Sequence, residues 1–198
     1  MERGDINSEM ASADYDLGYM EAAAELLQNY LLSDEIYWKM TASSPPGEPG
    51  YPSLTLGTLL LSQQRVASRN LTTLQNNRKL SLLNKIEEIR MKWLTAWRSK
   101  AKEEFRSRLH LWANYLEDFR QDPQGNSDRY AYEVSRRVML QLLLGEAEGI
   151  PEAELQMLRG LDGIIAGLML PGEFVWDQDL AAGFPAGEYP YLYSQLRE

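Results

Sequence analysis

The sequence predicts an all-α protein, a helical bundle of four to five helices built on one long central helix. Apolar residues recur at every third or fourth position over most of the 198 residues, which is the spacing of one face of an α-helix. Proline and glycine are concentrated between these repeats, where they end helices. A composition of 44% hydrophobic and 25% charged residues is that of an ordinary globular domain with a core.

The first helix is predicted over residues 14–32, and a loop is predicted over residues 43–52. The apolar face of this helix consists of Leu17, Met20, Ala24, Leu27 and Leu31. The loop reads SSPPGEPGYP, and its four prolines and two glycines exclude regular structure. Residues 36–40 form too short a segment for their pattern to distinguish a β-strand from a helical turn. A minor β-hairpin with residues 54–56 is therefore a further possibility.

The second helix is predicted over residues 54–74, and the long central helix over residues 82–119. Threonine and asparagine side chains predict a break at residues 72–78, because they compete for backbone hydrogen bonds. One continuous helix over residues 54–119 is the alternative. The central helix contains neither proline nor glycine and would be about 55 Å long. Its apolar stripe changes face around residues 98–104, which predicts either a bend there or a different packing partner for each half.

The remaining helices are predicted at residues 129–144 and 151–169, after a loop at residues 121–128. Gly145, Gly149 and Pro151 are typical of a helix end followed by a helix start. Residues 171–198 contain three prolines, three glycines and six aromatic residues. This composition predicts an extended C-terminal strap, which follows a single helical domain at residues 1–170.

The charges are arranged in three blocks along the chain. Residues 1–64 carry 2 basic and 10 acidic residues, residues 65–120 carry 13 and 6, and residues 121–198 carry 5 and 13. Helical spacing places several basic residues of the middle block on one ridge, with Lys100 beside them. The ridge consists of Arg78, Lys85, Lys92, Arg98, Lys102 and Arg106. We expect acidic groups of the two ends to fold back near this ridge.

The residue inventory excludes several kinds of catalytic site. The chain has no cysteine, so thiolate zinc sites, iron-sulfur clusters and cysteine nucleophiles are excluded. Its one histidine, His110, is predicted to lie at the surface, and no Gly-x-Ser-x-Gly turn or phosphate-binding glycine loop accompanies it. We therefore expect no cofactor and no enzymatic activity.

Two weaker patterns leave room for ion binding or catalysis. A calcium-loop register is occupied by Asp122, Gln124, Asn126, Asp128 and Glu133. Ser127 stands where that loop needs glycine, so an Asp-Pro turn followed by a helix cap is the better interpretation. Asp177 and Asp179 lie beside Trp176, which makes a carboxylate-dependent hydrolase a third functional hypothesis.

The leading prediction is a non-enzymatic interaction or assembly protein whose partner is another protein or a second copy of this chain. The candidate surface combines the basic ridge with aromatic residues of the strap, which alternatively clasp their own bundle. These aromatic residues are Phe174, Trp176, Tyr189, Tyr191 and Tyr193. Nucleic-acid binding by the ridge is the alternative, although a pI of about 4.8 argues against it. Neither a secretion signal nor a membrane-spanning segment is recognisable, which predicts a cytoplasmic protein.

Overall fold

The computed structural model describes residues 12–197 and confirms the all-α prediction. Seven α-helices and one two-stranded antiparallel sheet make up its regular structure, together with three 3-10 turns. The helices are α1 (Ala13–Leu31), α2 (Leu56–Ser68), α3 (Thr73–Lys92), α4 (Leu94–Gln121), α5 (Pro123–Asn126), α6 (Tyr130–Glu146) and α7 (Glu152–Leu168). The strands are β1 (Met169–Pro171) and β2 (Ser194–Leu196).

Helices α2, α4 and α6 form the centre of the bundle. Only α5 and one 3-10 turn connect α4 to α6, so these two helices pack as antiparallel neighbours. Helix α2 packs against both α1 and α6. Helix α7 packs against α4. The interior is one hydrophobic cluster that includes residues of every long helix and of the strap.

The central helix is interrupted at Trp93, so the prediction of one unbroken helix over residues 82–119 is wrong at this residue. Trp93 has φ −119° and ψ 34°, although its N–H still donates to the carbonyl of Ile89. The two halves have different partners, since α3 packs on α1 whereas α4 packs on α6. The interruption therefore results from packing, and it precedes the expected bend at residues 98–104.

The second helix also ends earlier than predicted. It stops at Ser68, and the break covers residues 69–72. The next helix starts at Thr73 because Thr72 and Gln75 form a capping box: the Thr72 hydroxyl accepts from the Gln75 N–H, and the Gln75 side chain accepts from the Thr72 N–H. Thr72 and Thr73, which the sequence places in a helix break, therefore start the next helix.

Two further predictions need correction. The loop expected at residues 121–128 contains α5, whose first turn is capped by the Asp122 carboxylate accepting from the Gly125 N–H at 3.0 Å. The hairpin considered for residues 36–40 and 54–56 is reduced to one antiparallel bridge, between Trp38 and Leu54. The sheet forms elsewhere, because β2 pairs with β1 and thereby ties the C-terminal residues to the end of α7.

The strap packs on its own bundle. The Trp176 indole donates to the carbonyl of Ala131 on α6 at 2.8 Å, and Gln64 of α2 donates to the carbonyl of Gly183 at 2.6 Å. A β-carbon on Gly183 would lie 1.7 Å from Ser68 Oγ, so only glycine fits at this approach to α2. Instead of being extended throughout, the strap contains two 3-10 turns, Gln178–Gly183 and Pro190–Tyr193.

Candidate docking cleft

The basic ridge is largely neutralised by the acidic ends of the chain, as the three charge blocks predict. Two carboxylates of α1 and two from the segment around α7 reach it. The ion pairs are Arg78–Glu21, Lys85–Glu25, Arg98–Glu148 and Arg106–Glu154. Lys92 lies 5.5 Å from the ring centre of Trp93, and Lys102 is partly exposed. Lys100 does not belong to the ridge, because it is buried and donates to the carbonyl of Glu35 at 2.7 Å.

The aromatic residues of the strap lie in the chain's own core. Phe174, Trp176, Tyr189 and Tyr191 are buried, and Tyr193 is partly buried. Their rings contact one another and Phe184, mostly edge to face. They therefore hold the strap on the bundle and do not present an exposed surface.

A cleft of about 370 Å³ opens between α2, α4 and α6. Each helix contributes one arginine to its lining, Arg65 from α2, Arg108 from α4 and Arg136 from α6. Within residues 12–197, no aspartate or glutamate lines it. The volume is in the range of sites that bind small molecules or single side chains, and the lining offers many hydrogen-bond donors to an anion.

Helical spacing explains which side chains reach the cleft. Four residues of α6 share one helix face because successive members are three, one and three positions apart. They are Tyr132, Ser135, Arg136 and Met139. On α4, Leu111 lies one turn after Arg108. Exposed apolar side chains surround the opening, since Tyr37 is 43%, Leu111 37% and Tyr132 70% exposed. The cleft therefore combines a basic floor with an apolar rim.

Arg108 is held in place by a buried ion pair with Glu104. The Glu104 carboxylate is fully buried; its Oε1 accepts from Arg108 Nε at 2.5 Å and its Oε2 accepts from the Gly57 N–H at 2.9 Å. Gly57 is in the first turn of α2, where the helix dipole favours a negative charge. Arg108 also donates from Nη2 to the hydroxyls of Thr55 and Thr58, at 2.9 and 3.3 Å. These bonds fix the guanidinium at the floor of the cleft.

Arg65 is anchored in a similar way by Asp16 of α1. Its Nε lies 3.2 Å from Asp16 Oδ2, and Arg69 donates to the same oxygen at 2.7 Å. Burial raises the pKa of Asp16 to about 6, while Arg65 and Arg69 act in the opposite direction. Burial also lowers the pKa of Arg65. This cluster connects α1 to α2 beside the cleft.

Arg136 forms an ion pair with the buried carboxylate of Glu133, one turn earlier on α6. Its guanidinium carbon lies 5.9 Å from the ring centre of Tyr132, which is cation-π distance. Partial burial lowers the pKa of Arg136, and the positive charges of Arg108 and Arg129 lower it further. An anion in the cleft would relieve that repulsion.

The sequence did not predict that Arg65, Arg108 and Arg136 line one site, because the cleft depends on how three helices meet. Arg108 entered only as the end of the basic segment 78–108 in the nucleic-acid hypothesis. One signal was present in the sequence. Glu104 and Arg108 are spaced i, i+4 and fall inside the apolar face of α4, between Ala101 and Trp112. An opposite-charge pair inside an apolar stripe indicates a buried ion pair.

The structure does not bring the residues of the other two candidate sites, the Asp177/Asp179 pair and the calcium-loop register, together in a pocket. Asp177 and Asp179 line an open depression, in which Asp179 accepts from Arg69 Nε at 2.8 Å. The last ligand position of the calcium register, Glu133, is buried and accepts from Arg129 at 2.7 Å. Among the described residues, no group of three or more histidine, aspartate or glutamate side chains could hold a metal ion. His110 is exposed, as expected.

In the described part of the chain, no helix is both long enough and apolar enough to cross a lipid bilayer.

Comparison with known proteins assigns no family to this chain. No protein-family model, curated protein or solved structure matches this chain.

Proposed function

We propose that this protein is a non-enzymatic interaction protein that binds a segment of a partner protein in the cleft between α2, α4 and α6. One observation carries the proposal: three arginines from three helices line a cleft whose opening is surrounded by exposed apolar side chains. Tyrosine and arginine dominate the binding energy of protein interfaces, since both combine a large contact area with directed hydrogen bonds. The cleft offers both residue types at one place.

The rigidity of the cleft also supports this function. Arg108 is held by Glu104, Thr55 and Thr58, and Arg65 by Asp16, so the floor is formed before any partner arrives. Side chains that are already ordered lose little conformational entropy on binding. A preformed site of this kind suits recognition of one short segment.

The other functional hypotheses have weaker support. Nucleic-acid binding needs free cations on the ridge, yet four of its six residues pair with carboxylates of the chain itself. A hydrolase at Asp177 and Asp179 would use a pair in which Asp179 already binds Arg69. Absence of enzymatic activity and a cytoplasmic location both remain predictions.

Site-specific photo-crosslinking in native cells tests the proposal. A photoreactive phenylalanine analogue replaces Tyr132 at the cleft in one variant and Leu74 in the control variant; these side chains are 70% and 79% exposed. We expect one partner protein to be crosslinked from position 132 and not from position 74, because only position 132 borders the cleft.

Binding of that partner in purified form completes the test. We expect Tyr132→Ala to weaken binding by about tenfold or more, as loss of an aromatic interface residue commonly does, while Leu74→Ala leaves it unchanged. Crosslinks to a second copy of the chain would identify the assembly as a homo-oligomer, which also supports an interaction role. Equal crosslinking from both positions, or unchanged affinity of Tyr132→Ala, would refute the cleft as the interaction site.

A further inference from the structure

We propose that the floor of the cleft is a carboxylate-binding subsite, in which Arg108 and Arg136 receive one acidic side chain of the bound protein segment. The identity of this ligand as part of a protein rests on the proposed function. The preference of the cleft for an anion rests on the arrangement of its charges. The carboxylate subsite and the proposed function can therefore fail separately.

The acidic partners of the cleft arginines lie behind them. Glu104 and Glu133 are buried and do not line the cleft, whereas Arg108 and Arg136 do. Each carboxylate thus compensates its arginine without lining the cleft itself. The Arg136 side chain is 20% exposed, whereas that of Arg108 is 7% exposed. An anion entering the cleft meets donors and no competing acceptor carboxylate.

Arg136 has an unused pair of donors. Its Nη1 pairs with Glu133, and within residues 12–197 neither Nε nor Nη2 has a hydrogen-bond acceptor. Nε–H and one Nη2–H lie parallel on one edge of the guanidinium plane, and this edge binds a carboxylate through two hydrogen bonds. The side chain is 20% exposed, so this pairing would be only partly screened by water.

The surrounding charge favours a single carboxylate over a more highly charged ligand. The whole chain carries a formal net charge of −9, so a polyanion approaching the protein meets repulsion outside the cleft. Arg136 shares the Glu133 carboxylate with Arg129, so these two arginines and Arg108 are balanced by only two buried carboxylates and one positive charge remains. The exposed Tyr132 and Leu111 beside the floor suit the apolar neighbours of an acidic residue in a peptide.

Nuclear magnetic resonance of the arginine side chains tests this subsite in the full chain. The probe is N-acetylglutamate amide, with N-acetylglutamine amide as the uncharged control of the same shape and inorganic phosphate as the third arm. We expect the glutamate probe to shift the Arg136 Nε–H signal with a saturating curve, and the glutamine probe to bind about tenfold more weakly or worse.

Two cleft variants and one surface variant give the matched comparison. Arg136→Gln removes the charge, and Arg136→Lys keeps the charge but loses the paired donors, so both should reduce glutamate binding by about tenfold. Arg120→Gln, on an exposed pair with Glu117, should leave binding unchanged. Circular dichroism of each variant checks that the helices are retained.

Several outcomes would overturn the subsite. Equal binding of the glutamate and glutamine probes would show that charge plays no part, and phosphate binding tenfold tighter than glutamate would assign the cleft to phosphorylated ligands. If the partner crosslinked at position 132 binds Arg136→Gln with unchanged affinity, the carboxylate subsite is wrong while the proposed function stands. If the glutamate probe binds as expected but no partner is crosslinked, the subsite stands and the proposed function fails.

Discussion

Replacing Arg108 with methionine should destabilise the fold strongly, because it leaves the Glu104 carboxylate buried without its counter-ion. Glu104 is 0% exposed and would keep only the hydrogen bond from the Gly57 N–H. Breaking one side of a buried ion pair costs about 3–5 kcal/mol. In a chain of 198 residues, 1 kcal/mol corresponds to about 2–4 °C in Tm, so Tm should fall by roughly 6–20 °C.

A double-mutant cycle separates this effect from lost packing. Glu104→Gln keeps an oxygen that accepts from Gly57 and needs no counter-ion, so the double variant with Arg108→Met should recover about 2 kcal/mol or more relative to the sum of the single variants. The free energy of unfolding is measured in urea. Arg120→Met is the control, because its partner Glu117 is 55% exposed, and it should change stability by less than about 0.5 kcal/mol.

Two results would refute this reasoning. A cost below about 1 kcal/mol for Arg108→Met would mean that water or another group of the folded protein compensates the Glu104 carboxylate. Additive effects of the two substitutions would mean that the ion pair contributes no coupling energy, and the floor of the cleft would then lack the rigid anchor described above.

Three further predictions concern the strap, α7 and the Asp16 cluster. Gly183→Ala should cost more than about 1 kcal/mol, because its β-carbon meets Ser68, and the loss is measured by thermal unfolding. Gly163→Ala should stabilise by about 0.5–1 kcal/mol in the same assay, since its added β-carbon would meet no described atom within 4 Å apart from its own helix backbone and chain neighbours. The folded state raises the Asp16 pKa from 3.8 to about 6, so it binds the proton more tightly than the unfolded state. Stability from this group is therefore greatest below about pH 4 and falls by up to about 3 kcal/mol as pH rises through 6, a decline that Asp16→Asn should remove in urea titrations. A flat pH profile of the unsubstituted protein over this range would contradict that last prediction.

The helices with a local apolar repeat were predictable from the sequence, and the interruption at Trp93 was not. The predicted segments 14–32, 129–144 and 151–169 agree with α1, α6 and α7 within two residues at each end. Each of these helices buries one face, and the regular spacing of its apolar residues follows from that burial. The chain contains no helix-breaking residue at Trp93. The break follows from the packing of α3 and α4 on different helices, which cannot be predicted from the local sequence.

The candidate site depends on contacts between helices that are distant in sequence. Arg65, Arg108 and Arg136 are spread over more than seventy positions, and they meet only because α2, α4 and α6 pack together. The basic ridge was easier to recognise, since its residues follow one another along neighbouring turns. Helical spacing therefore drew attention to cations that the chain itself neutralises.

The charge blocks of the sequence thus have two different structural roles. On the ridge, arginines and lysines pair with exposed carboxylates of the ends, and such surface pairs each contribute about 0–1 kcal/mol and weaken with salt. Glu104 and Asp16, which pair with two arginines of the cleft, are fully buried and do not line it, so water and salt screen them little. A buried carboxylate cannot be displaced by a ligand without unfolding its surroundings, so the guanidinium it holds keeps its place in the lining of the cleft. An anion that reaches Arg136 or Arg108 therefore meets an arginine whose counter-ion it does not have to displace.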